Sequence, residues 1–144
     1  MKRWRVALGA IAFIAAAGWI YASSKPVREA DTADARLVEL GGAVYATHCA
    51  SCHGEKMEGQ PNWRERRPDG RLPAPPHDAS GHTWHHPDRQ LFEITKHCVA
   101  GVVPGYQSDM PAYGNTLSDQ EIWAVIAYIK SRWPEAIRKR QPRE

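Results

Sequence analysis

The sequence predicts an all-α fold, preceded by a further N-terminal membrane or signal helix. Apolar residues recur at three- and four-residue steps from Arg36, a second helical pattern begins at Pro87, and a helix-capping signature at Ser118 opens a third. A basic and then apolar stretch precedes all three. The predicted organisation is a signal peptide or signal-anchor helix (1–22), a linker (23–35), one helical domain (36–134) and a basic tail (135–144).

The N-terminus has the pattern of an export segment. Lys2, Arg3 and Arg5 precede an apolar run over residues 6–22, and basic residues at such an end stay on the cytoplasmic side of a membrane. We therefore expect the rest of the chain on the periplasmic side, anchored by this helix. The run is near the lower limit for spanning a bilayer. Small residues at 22–24 also suit a signal peptidase, so a soluble periplasmic protein is the alternative.

The charge balance gives no indication of nucleic-acid binding. The chain has 19 Lys and Arg against 16 Asp and Glu, and the three basic residues before the apolar run account for the whole excess. A neutral domain lacks the basic surface that binds nucleic acids. No nucleic-acid partner is expected.

Cys49-Ala50-Ser51-Cys52-His53 carries the strongest chemical signal. Two cysteines separated by two residues and followed by histidine indicate attachment of haem c. Each thiol adds to one vinyl group of the porphyrin, and the adjoining imidazole ligates the iron. A zinc site would need a second Cys/His pair, a thioredoxin-like site would need a βαβ surrounding, and a disulfide would need no histidine. The motif predicts one covalent haem c, bound through Cys49, Cys52 and His53.

The first helix of the domain is predicted from Arg36 into Cys49. Gly41 and Gly42 lower its helix propensity, which indicates that another helix crosses closely there. The apolar positions of this helix are Leu37, Leu40, Val44 and Tyr45.

Residues 54–82 are predicted to form a long loop, because they hold most of the Pro, Gly and Arg of the domain. Loops of this length in compact domains are usually functional, and we expect this one to cover a face of the porphyrin. Its arginines could pair with haem propionates or meet a partner, and solvated charges are the alternative. They are Arg64, Arg66, Arg67 and Arg71.

The second helix is predicted to start at Pro87 and Asp88 and to end at Gly101. Proline is favoured in a first turn, and an acidic residue suits the positive end of a helix. A second loop then covers residues 102–116. The apolar stripe of this helix comprises Leu91, Phe92, Ile94 and Thr95.

The last helix begins with a capping box of Ser118 and Glu121, and Pro134 stops it. Leu117 can pack against Ile122 as a hydrophobic staple. The basic residues 138–143 of the tail are expected to be frayed and solvated, with contact to anionic lipid or an acidic partner as the alternative. One apolar face comprises Ile122, Trp123, Val125, Ile126, Ile129 and Trp133.

Met110 is the predicted ligand on the opposite side of the iron. It lies 57 residues after His53, beyond a helix, and Pro111 stiffens it. That length of chain suffices to pass around the porphyrin edge. Met57 follows His53 by only four residues and would lie on the same side. His/Met ligation closes both axial positions and raises the reduction potential, which favours electron transfer over catalysis.

The sequence resembles the class I cytochromes c over residues 36–134. This resemblance implies helices wrapped around one haem, with the first and last crossing nearly at a right angle. Gly41, Tyr45 and Tyr128 occupy the positions of that contact. The resemblance rests on Gly41, Val44, Tyr45, Cys49, Cys52, His53, Met110-Pro111 and Val125-Ile126-Ala127-Tyr128-Ile129.

The resemblance also implies two hydrogen bonds near the haem. A backbone carbonyl within residues 72–75 would bond the free nitrogen of His53 and tune its basicity. The indole N–H of Trp84 would donate to a propionate, as an aromatic in this region does in relatives. A plain core aromatic is the alternative for Trp84.

The long Arg/Pro-rich insert and Cys98 depart from the smallest cytochromes of this class. Cys98 is expected to be a small buried hydrophobe, with an intermolecular disulfide as the alternative. Four histidines within ten residues also suggest a copper or zinc site. Capping of the second helix, hydrogen bonds to the loop and proximity to the propionates are their alternative roles. The four are His77, His82, His85 and His86.

The predicted function is one-electron transfer between redox proteins of a respiratory or periplasmic chain, without enzymatic activity. The alternatives are a haem-based enzyme subunit, a sensor, or a copper-handling accessory protein that uses the histidine cluster at 77–86. A peroxidase would need an open haem and a relay haem, whereas the sequence holds one attachment motif.

Overall fold

The computed structural model describes residues 29–143, and within that range the chain is helical with no strand. The predicted all-α domain is confirmed there. No helix in this range is both long and apolar enough to cross a bilayer, and the predicted helix in residues 1–22 lies outside it. The helices are α1 (Ala35–His48), α2 (Ala50–His53), α3 (Asp88–Val102), α4 (Asp119–Ser131) and α5 (Glu135–Arg138), with a 3-10 turn at Thr83–His85.

Helix α1 begins at a capping aspartate. The carboxylate of Asp34 accepts hydrogen bonds from the backbone N–H groups of Arg36 (3.0 Å) and Leu37 (3.2 Å), which satisfies donors that the first turn leaves free. Ala30, in the predicted linker, is buried in the core. The folded domain therefore includes residues that precede α1.

Helices α1 and α4 cross at Gly41. A β-carbon placed there would lie 1.9 Å from the carbonyl oxygen of Ala124 and 2.8 Å from Cβ of Tyr128. The two backbones can approach this closely only because Gly41 has no side chain. The rings of Tyr45 and Tyr128 pack beside the crossing, 5.6 Å apart. The predicted reason for the glycine is confirmed.

Helix α4 has the predicted capping box. The backbone N–H of Glu121 donates to Oγ of Ser118, and the Glu121 carboxylate accepts from the backbone N–H (2.8 Å) and hydroxyl (2.7 Å) of Ser118. These bonds lower the pKa of Glu121, since they favour its charged form. Leu117 and Ile122, the expected staple, are both buried in the core cluster.

Helix α3 packs on α4 through stacked aromatic rings. The ring centroids of Phe92 and Trp123 are 4.4 Å apart. The backbone of α3 bends at Cys98, where φ is 63° and ψ is 160°. This region of backbone conformation is essentially restricted to glycine, and other residues are strained in it by about 1–3 kcal/mol. The predicted helix from Pro87 to Gly101 is present, and the bend within it was not expected from the sequence.

The tail after α4 folds back onto the start of α3. The side-chain amide of Gln141 donates to the carbonyl of His86 (3.0 Å) and to Asp88 Oδ1 (2.7 Å). Lys130 Nζ donates to the same carboxylate at 2.7 Å. The expectation of a frayed tail is therefore wrong as far as residue 141, because that tail has specific acceptors near the N-terminus of α3.

Gly41→Ala is expected to destabilise the folded holoprotein by about 3 kcal/mol, because the added methyl overlaps the α4 backbone. Gly42→Ala is the matched control. Its β-carbon would meet only the ring of Tyr128, at 3.2 Å, and the better helix propensity of alanine offsets this, leaving a change within about 1 kcal/mol. Chemical denaturation measures both. Equal losses for the two variants would contradict a backbone contact specific to Gly41.

Cys98→Gly is expected to be more stable than Cys98→Ala by about 1 kcal/mol, because glycine alone relieves the strained backbone. In an ordinary helix interior the order is the reverse, with alanine favoured by about that amount. Thermal unfolding of the two variants compares them directly. A higher melting temperature for the alanine variant would show that residue 98 carries no backbone strain.

Candidate functional site

The predicted attachment segment lies directly at the end of α1. Cys49 connects α1 to the short helix α2, and its backbone N–H still donates to Tyr45 O at 2.9 Å. Cys52 is exposed, Cys49 is partly buried and His53 is buried. Burial, with a smaller contribution from Cys52, raises the pKa of the Cys49 thiol to about 11. Cys49 and Cys52 therefore lie on one helical turn that ends at His53.

The imidazole of His53 is held by a backbone carbonyl. Its Nδ1 lies 2.8 Å from the carbonyl oxygen of Pro75. Because a carbonyl can only accept, Nδ1 carries the proton and Nε2 keeps its lone pair. Burial lowers the pKa of His53, which favours the neutral form that binds metals. The predicted hydrogen bond from residues 72–75 is confirmed, and the acceptor is Pro75.

A second histidine stacks on this ring. The His77 and His53 rings are 3.9 Å apart and inclined by 26°. Nδ1 of His77 bonds the hydroxyl of Thr83 at 2.9 Å, and its carbonyl accepts the indole N–H of Trp133 at 2.7 Å. Burial lowers the pKa of His77 well below its usual value, with His53 and His82 adding to the effect. His77 thus limits rotation of the His53 ring, a role that the sequence did not indicate.

Two tyrosines hold the backbone on either side of the attachment segment. The hydroxyl of Tyr45 donates to Gly54 O at 2.9 Å, and that of Tyr113 donates to His48 O at 2.6 Å. Burial is the main cause of a raised pKa in both phenols. Tyr113 belongs to the loop that carries Met110, so this loop is tied directly to the end of α1.

Met110 lies in the loop between α3 and α4 and is partly buried. Its backbone N–H donates to the Ser108 hydroxyl at 3.1 Å. Further along, the N–H groups of Tyr113 and Gly114 donate to carbonyls of α3 at 3.2 and 2.9 Å. The loop is therefore anchored to the end of α1 through Tyr113 and to α3 through its backbone. The assignment of Met110 as an iron ligand stays a prediction.

The arginine-rich loop is tied to the Met110 loop by charge. Arg67 Nη1 lies 2.9 Å from Oδ2 of Asp109, and Arg71 Nε lies 3.3 Å from Oδ1 of the same carboxylate. The Arg67 contact is a hydrogen bond, whereas the Arg71 contact is an ion pair without hydrogen-bond geometry. Asp109 as the partner of these two arginines was not expected from the sequence, because 42 residues separate it from Arg67.

The four clustered histidines do not converge on one point. His77 stacks on His53, His82 on Trp63 and His85 on Trp84. Among residues 29–143, no three His, Cys, Asp or Glu side chains lie together as metal ligands would. The structure gives the copper and zinc hypothesis no support. His86 bonds Gln90 in the first turn of α3 at 3.2 Å, which agrees with the alternative role at this helix.

The indole N–H of Trp84 is buried and has no acceptor among residues 29–143. A buried donor without a partner is costly, and a propionate carboxylate could satisfy it. His85 stacks on the ring at 3.7 Å, and the guanidinium of Arg140 lies 4.9 Å from its centroid. Together with two cysteines on one turn and a histidine whose Nε2 is free, this orphan donor fits a covalently bound haem.

A family model described as "Cytochrome C oxidase, cbb3-type, subunit III" matches residues 36–129, more than half of the chain. The chain belongs to this family. It is a c-type cytochrome with covalently bound haem c, and one attachment motif agrees with one haem. Membership also supports haem-dependent electron transfer in a respiratory chain. No curated protein and no solved structure matches the chain.

Tyr45→Phe is expected to destabilise this cytochrome by about 1–2 kcal/mol, because it removes the hydroxyl donor of a fully buried ring, where water cannot replace it, and leaves the Gly54 carbonyl with only the N–H of Met57 at 3.1 Å. Tyr45 is 2% exposed. Tyr113→Phe removes a similar bond at a partly exposed site and is expected to cost less, about 0.5–1.5 kcal/mol. Denaturant unfolding of the holoproteins measures both losses. A greater loss for Tyr113→Phe would contradict this ranking by burial.

Proposed function

We propose that this protein is a one-electron carrier whose haem is tethered by Cys49 and Cys52 and ligated by His53 and Met110. The observation that carries the proposal is the bond from His53 Nδ1 to Pro75 O. It fixes the tautomer and presents Nε2 as the ligand atom. Bound haem iron supplies the redox chemistry by alternating between ferrous and ferric states.

The residues of the chain orient and enclose this group rather than react with substrates. The stacked ring of His77 and the Pro75 carbonyl restrict the orientation of His53. The thioether of Met110 would also hold the haem iron, which would raise the reduction potential and close the site to small ligands. No side chain is assigned an acid–base role. We therefore propose a carrier without enzymatic activity of its own.

The proposed partners are redox proteins of a respiratory chain, which agrees with a family named after a subunit of an oxidase. We further propose that the domain acts on the periplasmic side of the membrane. The basic and apolar pattern of residues 1–22 supports this location. It would hold the domain at the membrane if retained and leave a soluble carrier if removed. Mass spectrometry of the mature holoprotein would distinguish the two.

The ferric protein is expected to show the absorption band at about 695 nm that marks methionine–iron ligation. Met110→Ala should abolish the band and open the iron to cyanide and CO. Met57→Leu is the control, because Met57 is a buried methionine that follows His53 by four residues. Leucine conserves its volume. Optical spectroscopy with ligand titration measures both effects.

Absence of the band in the wild type, together with rapid binding of CO, would overturn His/Met ligation and favour a sensor or enzyme. Loss of the band in Met57→Leu but not in Met110→Ala would show that Met57, and not Met110, ligates the iron. Covalent haem in either case would leave the attachment through Cys49 and Cys52 standing.

A further inference from the structure

We propose that Asp109 is a positioning residue for Met110, and that Arg67 and Arg71 act through it as a clamp on the loop that carries Met110 (residues 103–118, the distal loop). This inference rests on the proposed His/Met ligation. It assigns a role to the arginine-rich loop that haem binding alone does not require. In this arrangement, the loop keeps Met110 seated by holding the residue directly before it.

Both arginines of the clamp pair with the carboxylate of Asp109, each with a different oxygen. Arg67 meets one oxygen of Asp109 at 2.9 Å, and Arg71 meets the other at 3.3 Å. The backbone also joins the two arginines, because the N–H of Arg67 donates to the carbonyl of Arg71 at 2.9 Å. Two cations therefore reach Asp109 from one rigid turn, which restricts the carboxylate more than one flexible pair would.

A second set of bonds connects the clamp to the side of the proximal histidine. Nη2 of Arg67 donates to Oε1 of Gln60 at 3.0 Å, and this oxygen also accepts the N–H of Ala74 at 3.0 Å. The backbone N–H of Gln60 in turn donates to the carbonyl oxygen of Ala74 at 2.9 Å. Pro75, the next residue, accepts from His53. One loop thus bonds His53 directly and holds Asp109, the residue that precedes Met110.

The distal loop is bracketed around Met110. Asp109 is fixed on one side by the clamp, and Tyr113 is fixed on the other by its bond to His48 O. Only three residues lie between these anchors, and one is the stiff Pro111. Arg66 adds a third contact to the same loop, with its guanidinium 5.7 Å from the ring centroid of Tyr106. Loss of the contacts to Asp109 would leave Met110 anchored only from the Tyr113 side.

The exposure of the clamp sets the size and character of its effect. The side chains of Arg67, Arg71 and Asp109 are 39%, 43% and 48% exposed. Exposed ion pairs are individually weak, and salt of about 1 M screens them over distances beyond about 3 Å. We therefore expect the seating of Met110 to depend on ionic strength, and to weaken several-fold rather than vanish when the clamp is removed.

The experiment compares holoprotein variants by how fast imidazole replaces methionine on the ferric iron. Asp109→Asn removes the shared carboxylate, and Arg67→Gln with Arg71→Gln removes both cations. Glu65→Gln is the matched control, since it removes one negative charge, as Asp109→Asn does, but from the arginine-rich loop and without touching the clamp. The combined triple variant completes a mutant cycle. Circular dichroism and melting temperature verify that each variant is folded.

Asp109→Asn and the double arginine variant should each bind imidazole about three- to tenfold faster than the wild type. The triple variant should be no faster than Asp109→Asn alone, because the same interaction is lost. The wild type and Glu65→Gln should accelerate in about 1 M salt, whereas variants without the clamp should not. The band at about 695 nm should weaken but persist in the variants without the clamp, and it should stay unchanged in Glu65→Gln.

Rates within twofold of the wild type for all variants, with a wild type insensitive to salt, would overturn the clamp. Equal acceleration of imidazole binding by Glu65→Gln would also overturn it, because the change in rate would then follow from the lost charge alone. In both cases a band at about 695 nm in the wild type would leave His/Met ligation intact. Absence of that band in the wild type would instead refute the ligation on which the clamp rests.

Discussion

The close approach of α1 and α4 is the contact on which the rest of the domain depends. It requires the absence of a side chain at Gly41, where a β-carbon would lie 1.9 Å from the carbonyl oxygen of Ala124. Because α1 continues into Cys49, any shift of this crossing would move the attachment segment as well. Tyr45 adds a second connection, since it packs on Tyr128 of α4 and bonds the backbone just after His53. The position of the attachment segment therefore depends directly on the packing of α1 against α4.

The loops around the site are irregular but firmly held, and most of the contacts that hold them involve backbone carbonyls. Side-chain donors from Tyr45, His53 and Tyr113 each reach a carbonyl in a segment without regular structure or at a helix end. A buried carbonyl without a donor is unfavourable, so these bonds stabilise the loops and orient the side chains together. This explains how a domain with short helices can define the position of a predicted ligand such as His53.

Local pattern predicted the features that depend on neighbours in sequence. The capping box at Ser118, the start of α3 and the Cys-x-x-Cys-His segment all follow from spacings of four residues or fewer. The reason for Gly41 also followed, because a glycine pair in a helix is locally unfavourable. Features that depend on distant residues did not follow: Arg67 and Asp109 are 42 positions apart, and Gln141 bonds His86 across 55. The bend at Cys98 escaped prediction because its side chain favours no such backbone conformation.

The acceptor for His53 is a main-chain oxygen, and this affects how the site can change by mutation. Every amino acid has that carbonyl, so no single substitution at position 75 deletes the acceptor. What places it there is the path of the chain between Gly54 and Pro75, including the paired bonds of Gln60 with Ala74. Insertions and deletions in that segment can therefore alter the basicity of the His53 imidazole in ways that substitutions at position 75 cannot. The length of this loop, more than the identity of residue 75, therefore determines the hydrogen bond to His53.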